Sequence, residues 1–245
     1  MSTPGEHVVA VDGWTIVVPV KALAGAKSRL AGAVTAPRRR DLVMAMATDV
    51  VRACVSAPGV SRVRVVSPDP ELEAMALRIG AEFVAEPAGK AEAGRGEHAS
   101  DHDTLNAALA VAFRDIRGPV GVVTADLPEI TAEHLGRILA AASSHPHSII
   151  TDRSGEGTTM AFWTGPAAAR TPRFGAGSAD RHRAEGGAVT LHGEASPAPA
   201  TRDVDTPVDL DDLAHRPVGA ATAVVLRHES PPSTRASGVS VTMVP

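Results

Sequence analysis

Two lysines and an arginine crowd the segment Val18-Pro19-Val20-Lys21-Ala22-Leu23-Ala24-Gly25-Ala26-Lys27-Ser28-Arg29-Leu30, directly after an apolar run from Trp14 to Val20. Cations and backbone N–H groups at the carboxyl end of a buried strand can neutralise the oxygens of a triphosphate. The spacing is neither that of a P-loop nor that of a dinucleotide-binding turn. A surface loop bearing three solvated cations, Lys21, Lys27 and Arg29, fits the same residues. Two acidic motifs stand far from this loop. Asp126 follows the apolar run Val120 to Thr124 in Val122-Val123-Thr124-Ala125-Asp126-Leu127-Pro128, and Asp203 and Asp205 fall on one side of an extended Arg202-Asp203-Val204-Asp205-Thr206-Pro207. Three carboxylates brought together repel one another unless a cation lies between them, and hard oxygen ligands suit Mg²⁺. The competing reading makes Asp205 or Asp209 a helix cap beside Pro207.

A third set of residues offers hydroxyls and unhindered backbone. It comprises Gly155-Glu156-Gly157-Thr158-Thr159 and Arg173-Phe174-Gly175-Ala176-Gly177-Ser178-Ala179-Asp180-Arg181-His182. The second segment opens a predicted helix, whose N-terminus attracts anions, so together they can hold a phosphorylated acid. Each taken alone also reads as a plain turn. The ten histidines show no metal-ligand spacing, and His182 is the only one inside a motif. No Gly-x-Ser-x-Gly elbow occurs, and Cys54 lies on a predicted buried helix face, so neither supports nucleophilic catalysis.

The elements that must position these residues alternate between strand and helix. Apolar runs predict strands at Trp14 to Val20, Arg62 to Ser67, Glu82 to Ala85, Val120 to Thr124 and Ser148 to Thr151. Between them, helices are predicted from Ala36 (with Leu42, Val43, Met46, Val50 and Cys54 inward), over Pro70 to Ile79, Thr104 to Phe113 and Thr131 to Ala142. This rhythm implies an α/β fold with a mostly parallel sheet covered on both faces. Beyond Gly155 the sheet gains mixed strands, at Thr158 to Trp163 and Ala188 to His192, around a helix near Ser178 to Glu185. Pro87 to His102, rich in Gly, Ala and charge, is expected as a surface loop. Residues 1–13 are expected as a flexible segment, 14–213 as the single domain and 214–245 as a C-terminal extension. In that extension Ala220 to Leu226 is expected as a strand and Pro231 to Pro245 as a disordered tail.

Bulk properties narrow the class. A chain of 245 residues that is 44% hydrophobic buries a sizeable core, and two Trp, four Phe and no Tyr exclude an aromatic platform for single-stranded nucleic acid. A net charge of −4 leaves no basic footprint for nucleic acid; Arg38, Arg39 and Arg40 read as a solvated helix start. One cysteine excludes an internal disulfide, and no apolar stretch approaches the roughly 20 residues that cross a bilayer. A cytoplasmic protein without a membrane partner is the expectation.

Taken in order, VPVKALAGAKSRL, the Asp103 to Leu109 run, TADLPE, GTT, RFGAGSADRH and DVDTPVDLDDL resemble the guanylyltransferases of deazaflavin coenzyme (coenzyme F-420) biosynthesis over roughly Thr15 to Leu213. The resemblance implies one nucleotidyltransferase domain of the glycosyltransferase-A-like, Rossmann-like type. It implies transfer of GMP from GTP to phosphoenolpyruvate or 2-phospho-L-lactate with release of diphosphate, and a downstream transferase that consumes the product. By position it makes Asp126, Asp203 and Asp205 the Mg²⁺ ligands and Thr159 (or its neighbour Thr158), Gly175 and Ser178 the acceptor-binding residues. Lys21, Lys27 and Arg29 become the triphosphate clamp, with Asn106 at the nucleoside. Between the two acceptors the resemblance favours phosphoenolpyruvate, because the FGAGSADRH version and the Ala- and Arg-rich composition look like the bacterial members associated with it. A sugar-phosphate or molybdopterin-type nucleotidyltransferase shares the first loop and Asp126, and a GTP-binding regulatory module is the non-enzymatic alternative.

Overall fold

The computed structural model of the protein describes residues 13–86 and 101–227, with the backbone alone of Asp101 and His102. Seven strands form one sheet in the order β3-β2-β1-β4-β6-β5-β7. In chain order these are β1 (Trp14–Pro19), β2 (Val60–Ser67), β3 (Glu82–Ala85), β4 (Val120–Val123), β5 (His147–Thr151), β6 (Thr158–Trp163) and β7 (Val189–Thr190). The helices are α1 (Ala36–Ser56), α2 (Glu71–Ile79), α3 (Asp101–Ala112), α4 (Ala132–Ala142), α5 (Ser178–Gly186), α6 (Ala198–Thr201), α7 (Pro207–Leu213) and α8 (Ala220–Arg227).

Strand β1 lies at the centre because it is apolar on both faces: Ile16, Val17 and Val18 are wholly buried. It pairs in parallel with β2 and β4, and β6 runs antiparallel between β4 and β5. The sheet is thus mostly parallel with one reversed strand. Ile16 and Val18 pack with Met46 of α1, Leu72 of α2 and Ile138 of α4, whereas Val17 packs with Leu109 of α3 and Ala179 of α5. Gly121 on β4 has no room for a side chain, since a Cβ there falls 2.7 Å from the Phe162 ring of β6. Helix α1 starts as expected, with Thr35 extended at the N-cap and Pro37 in the first turn.

The structure departs from the sequence reading at three places. Ala220 to Leu226 is the helix α8, not a strand. A short apolar run suits either period, and the tertiary partner decides: Asp49 of α1 accepts hydrogen bonds from Ala221 N and Thr222 N at 3.0 and 2.8 Å. A buried carboxylate at that end satisfies orphan N–H groups and complements the helix dipole. The strand expected over Ala188 to His192 keeps only Val189 and Thr190 in the ladder. Asp101 and His102, expected in the loop, open α3. The rest of that loop, residues 87–100, lies outside the described residues, as do residues 1–12 and the expected tail. Among the described residues no helix is long and apolar enough to cross a membrane.

His182, the one histidine inside a motif, is fully buried on α5 between His147, Trp163 and Phe174. Neither ring nitrogen has a hydrogen-bond partner, and burial, reinforced by His147 and the neighbouring arginines Arg173 and Arg181, pushes its pKa down to about 3. The imidazole therefore stays neutral in the folded chain, while the unfolded chain protonates near pH 6.5. Between those values the unfolded state binds the extra proton, so the contribution of His182 to stability is complete above pH 6.5 and falls as the pH drops. Between pH 6.5 and 5, urea unfolding should show the wild type losing about 2 kcal/mol relative to His182→Phe. Parallel pH profiles for the two proteins would remove His182 as a source of the dependence.

Candidate active site

Lys27 organises the edge of the sheet where β1 and β4 end. The loop after β1 is pinned by buried Leu23, whose N–H donates to Asp69 Oδ2 at 3.0 Å, and by buried Leu30. Between these anchors Lys27 takes a left-handed backbone conformation (φ 52°, ψ 48°), the only non-glycine residue with positive φ among the described residues. Such a conformation is uncommon away from glycine and costs about 1–3 kcal/mol, so it persists only where surrounding contacts hold it. Here it aims the ammonium inward, 2.5 Å from Asp126 Oδ2 and 2.7 Å from Asp205 Oδ1. Arg29, largely exposed, reaches Asp205 Oδ2 at 3.5 Å.

Asp126 enters from the end of β4, and Asp203 and Asp205 from the segment between α6 and α7. The two arms are joined by a backbone hydrogen bond from Val204 N to Asp126 O at 3.2 Å. One carboxylate oxygen from each of Asp126, Asp203 and Asp205 lies within 4.8 Å of the others. The cap of α7 is Thr206, and Asp209 closes a capping box with it: the Asp209 carboxylate accepts from Thr206 N, while its own N–H donates to Thr206 Oγ1. Asp205 is thereby left to face the cluster, and its N–H also donates to Asp209 Oδ2.

The electrostatics record the crowding. Burial lifts the Asp203 carboxyl, and the neighbouring charges of Asp126 and Asp205 add to it, bringing its pKa to about 7. Burial acts the same way on Asp126, but the Lys27 ammonium overrides it and the net shift is downward. For Lys27 burial disfavours the charge, yet Asp126 and Asp205 together raise its pKa. The cluster thus already demands positive charge. Asp126 Oδ1 is buried with no hydrogen-bond partner. Three hard oxygens with one unmatched lone-pair site fit a divalent cation.

Beside this cluster lies a cleft of about 200 Å³, whose walls include Lys21, Asp126, Asp203, Thr158, Gly175 and Ser178. Because β6 is antiparallel, its first residues stand at the edge where β4 ends, and Thr124 N donates to Thr159 O. Ser178, the first residue of α5, donates its hydroxyl to Thr158 Oγ1 at 2.9 Å. Gly175 (φ 118°) makes the turn into α5 that a side chain would strain. Thr159 also lines the cleft, but its hydroxyl donates to Ala200 O at 2.6 Å. Asn106 lies behind the cleft, and its amide exchanges two hydrogen bonds with the backbone of Phe174, at 3.1 and 2.9 Å.

All three acids, the lysines and the glycine-hydroxyl motifs thus converge. Sequence reasoning missed Asp152, which lines the cleft and accepts from Gly157 N at 3.0 Å. Its position after β5 repeats that of Asp126 after β4, a signal that was available. Phe174 and Leu105 also line the cleft; an apolar residue in a loop or on a helix carries no comparable signal. A larger hollow of about 460 Å³ beside α1 and α2 contains none of the motif residues.

A mostly parallel sheet with one reversed strand, an acidic cluster at its carboxyl edge and basic residues on the adjoining loop define an α/β nucleotidyltransferase. The chain belongs to the family described as Guanylyl transferase CofC like, whose model matches residues 14–214. It is 41% identical over 212 residues to a phosphoenolpyruvate guanylyltransferase of Mycolicibacterium gilvum, covering 85% of this chain and 92% of that one. A protein of the same name from Streptomyces coelicolor is 40% identical over 217 residues, covering 86% and 95%. In fold it is similar to a nucleotidyl transferase from Methanothermobacter thermautotroptrophicus, with a TM-score of 0.54, 15% identity, and 89% and 100% of the two chains covered.

If Lys27 neutralises the cluster, its loss should be repaired by another cation. Lys27→Met should lower Tm in chelator by several degrees, the scale of about 1–3 kcal/mol for a partly screened ion pair. Millimolar Mg²⁺ should raise the Tm of the variant more than that of the wild type. Equal Mg²⁺ responses would show that the ammonium and the metal do not share a site.

Proposed function

We propose that this protein transfers GMP from GTP to phosphoenolpyruvate, with release of diphosphate, in deazaflavin coenzyme biosynthesis. The observation that carries the reading is the sharing of Asp126 and Asp203 between the acidic cluster and the cleft lined by Thr158, Gly175 and Ser178. One cleft thus joins a charge-neutralising centre to an anion-binding helix start. The names of the relatives supply guanylyl transfer and the acceptor.

Asp126, Asp203 and Asp205 would hold Mg²⁺, which when bound supplies positive charge to phosphate oxygens. Lys21 and Arg29, on the loop after β1, hold the triphosphate from the solvent side. Lys27 keeps the acidic arms together and adds its charge to the same centre. On the acceptor side, Gly175 and the first turn of α5 present backbone N–H groups, and the Ser178–Thr158 hydroxyl pair orients the carboxylate and phosphate of the acid. Asn106 supports that side by holding Phe174. An acceptor phosphate oxygen attacks the α-phosphorus of GTP in line: a new P–O bond forms, the bond to the β-phosphate bridge breaks, and diphosphate leaves. The attacking phosphate is already ionised at neutral pH, so positioning and neutralisation of two anions lower the barrier without a general base.

Mass spectrometry of products from GTP, Mg²⁺ and a panel of phosphoenolpyruvate, 2-phospho-L-lactate and a sugar 1-phosphate tests the proposal. Expected is a guanylylated phosphoenolpyruvate with stoichiometric diphosphate. Asp126→Ala, Asp203→Ala and Asp205→Ala should each lower turnover about a hundredfold, the equivalent of about 3 kcal/mol. A clear preference for 2-phospho-L-lactate in competition would overturn the acceptor, a sugar-phosphate product would overturn the substrate class, and GTP binding without diphosphate release would leave a regulatory module.

A further inference from the structure

Glu129 stands three positions beyond Asp126, where a carboxylate would be expected either in solvent or among the acids of the cluster. It is in neither place. Its side chain is 5% exposed, and among the described residues it is not part of the acidic group. Instead it accepts a hydrogen bond from Arg202 Nη1 at 3.2 Å, and Arg216 Nη1 lies 3.7 Å away. Arg202 immediately precedes Asp203. Arg216 follows α7 and also donates to Asp212 at 3.2 Å.

These contacts belong to a longer seam. Residues 126–129 receive the second acidic arm at successive points: Val204 N on Asp126 O, Arg202 on Glu129, and, beyond α7, Gly219 N on Pro128 O at 2.9 Å. The backbone bond at Val204, the Thr159 hydroxyl on Ala200 O and the Asp209 carboxylate on Asp205 N hold this arm at other points. The charge-assisted bond from Arg202 to the buried Glu129 carboxylate adds an anchor at the residue directly before Asp203. The direction in which Asp203 and Asp205 approach Asp126 is thereby set. A buried ion pair adds little net stability over apolar residues of similar size, so the geometric effect can be separated from the energetic one.

We infer that Glu129 is a positioning residue: by holding Arg202 it places Asp203 and Asp205 against Asp126 and so sets how tightly this site holds a divalent cation. This rests on the metal reading given above, and the test separates the two. The full-length protein, without nucleotide, is titrated with Mn²⁺ while free Mn²⁺ is followed by electron paramagnetic resonance, with Tm measured in parallel. Glu129→Gln and Arg202→Met should each weaken Mn²⁺ binding about tenfold. The paired variant Glu129→Met/Arg202→Met should keep a Tm within a few degrees of wild type yet bind Mn²⁺ as weakly as either single variant, because both changes break one contact.

Wild-type Mn²⁺ affinity in Glu129→Gln, or in the paired variant, would reduce the contact to a structural one and overturn the inference. Loss of binding in Glu129→Gln with full affinity in Arg202→Met would make Glu129 a ligand, which also overturns it. Asp126→Asn is the control for the underlying reading: wild-type binding there would end both. Should the paired variant fail to fold, the single variants decide, since a tenfold weakening in both is required.

Discussion

Like charges must be held together at this site, and much of the local structure answers to that constraint. Asp126, Asp203 and Asp205 bring carboxylate oxygens within 4.8 Å of one another in a partly buried setting. Left alone they would separate or protonate, and the pKa of Asp203 is lifted to about 7 by burial first and by its two acidic neighbours second. Lys27 relieves the crowding at the cost of a left-handed backbone, two residues after Gly25, which also has a positive φ. The capping box at α7, the Val204 hydrogen bond and the Glu129–Arg202 contact are further restraints on the same three side chains.

Topology explains why an anion-binding surface adjoins this cluster. In an all-parallel sheet the carboxyl edge presents only strand ends. Reversing β6 between β4 and β5 brings the start of a strand, Thr158 and Thr159, to that edge beside Asp126. Helix α5 then begins next to it, with Ser178 against Thr158 and Ala179 N on Glu156 O. Donors and acids thus share one cleft. Behind it, neutral His182 and the aromatic rings of Trp163 and Phe174 form a packed base for α5.

Much of the fold was legible in the chain because the strands of a covered sheet are apolar on both faces and short. β3 was read to the residue, β1 and β2 to within two, and α1 began where Thr35 and Pro37 placed it. Ala220 to Leu226 was misread because a run of six apolar residues and Thr222 suits a strand or a helix; Asp49, distant in sequence, chose the helix. Similarly, Asp205 and Asp209 were equivalent as caps until Thr206 paired with one of them.

By itself, the sequence determined which residues could carry chemistry: cations after β1, an acid after β4, the Asp203 and Asp205 pair, and glycine-hydroxyl turns. These are signals of residue type and short spacing, and motif order added the family. Tertiary structure alone decided what each residue faces. Lys27 binds carboxylates in the folded chain, Asn106 braces Phe174, Thr159 gives its hydroxyl to Ala200, and Glu129 takes up Arg202. Each of those pairings joins segments far apart in the chain. A partner chosen by packing and charge across such a separation leaves no local pattern to read, because any of several basic or acidic residues could have met it.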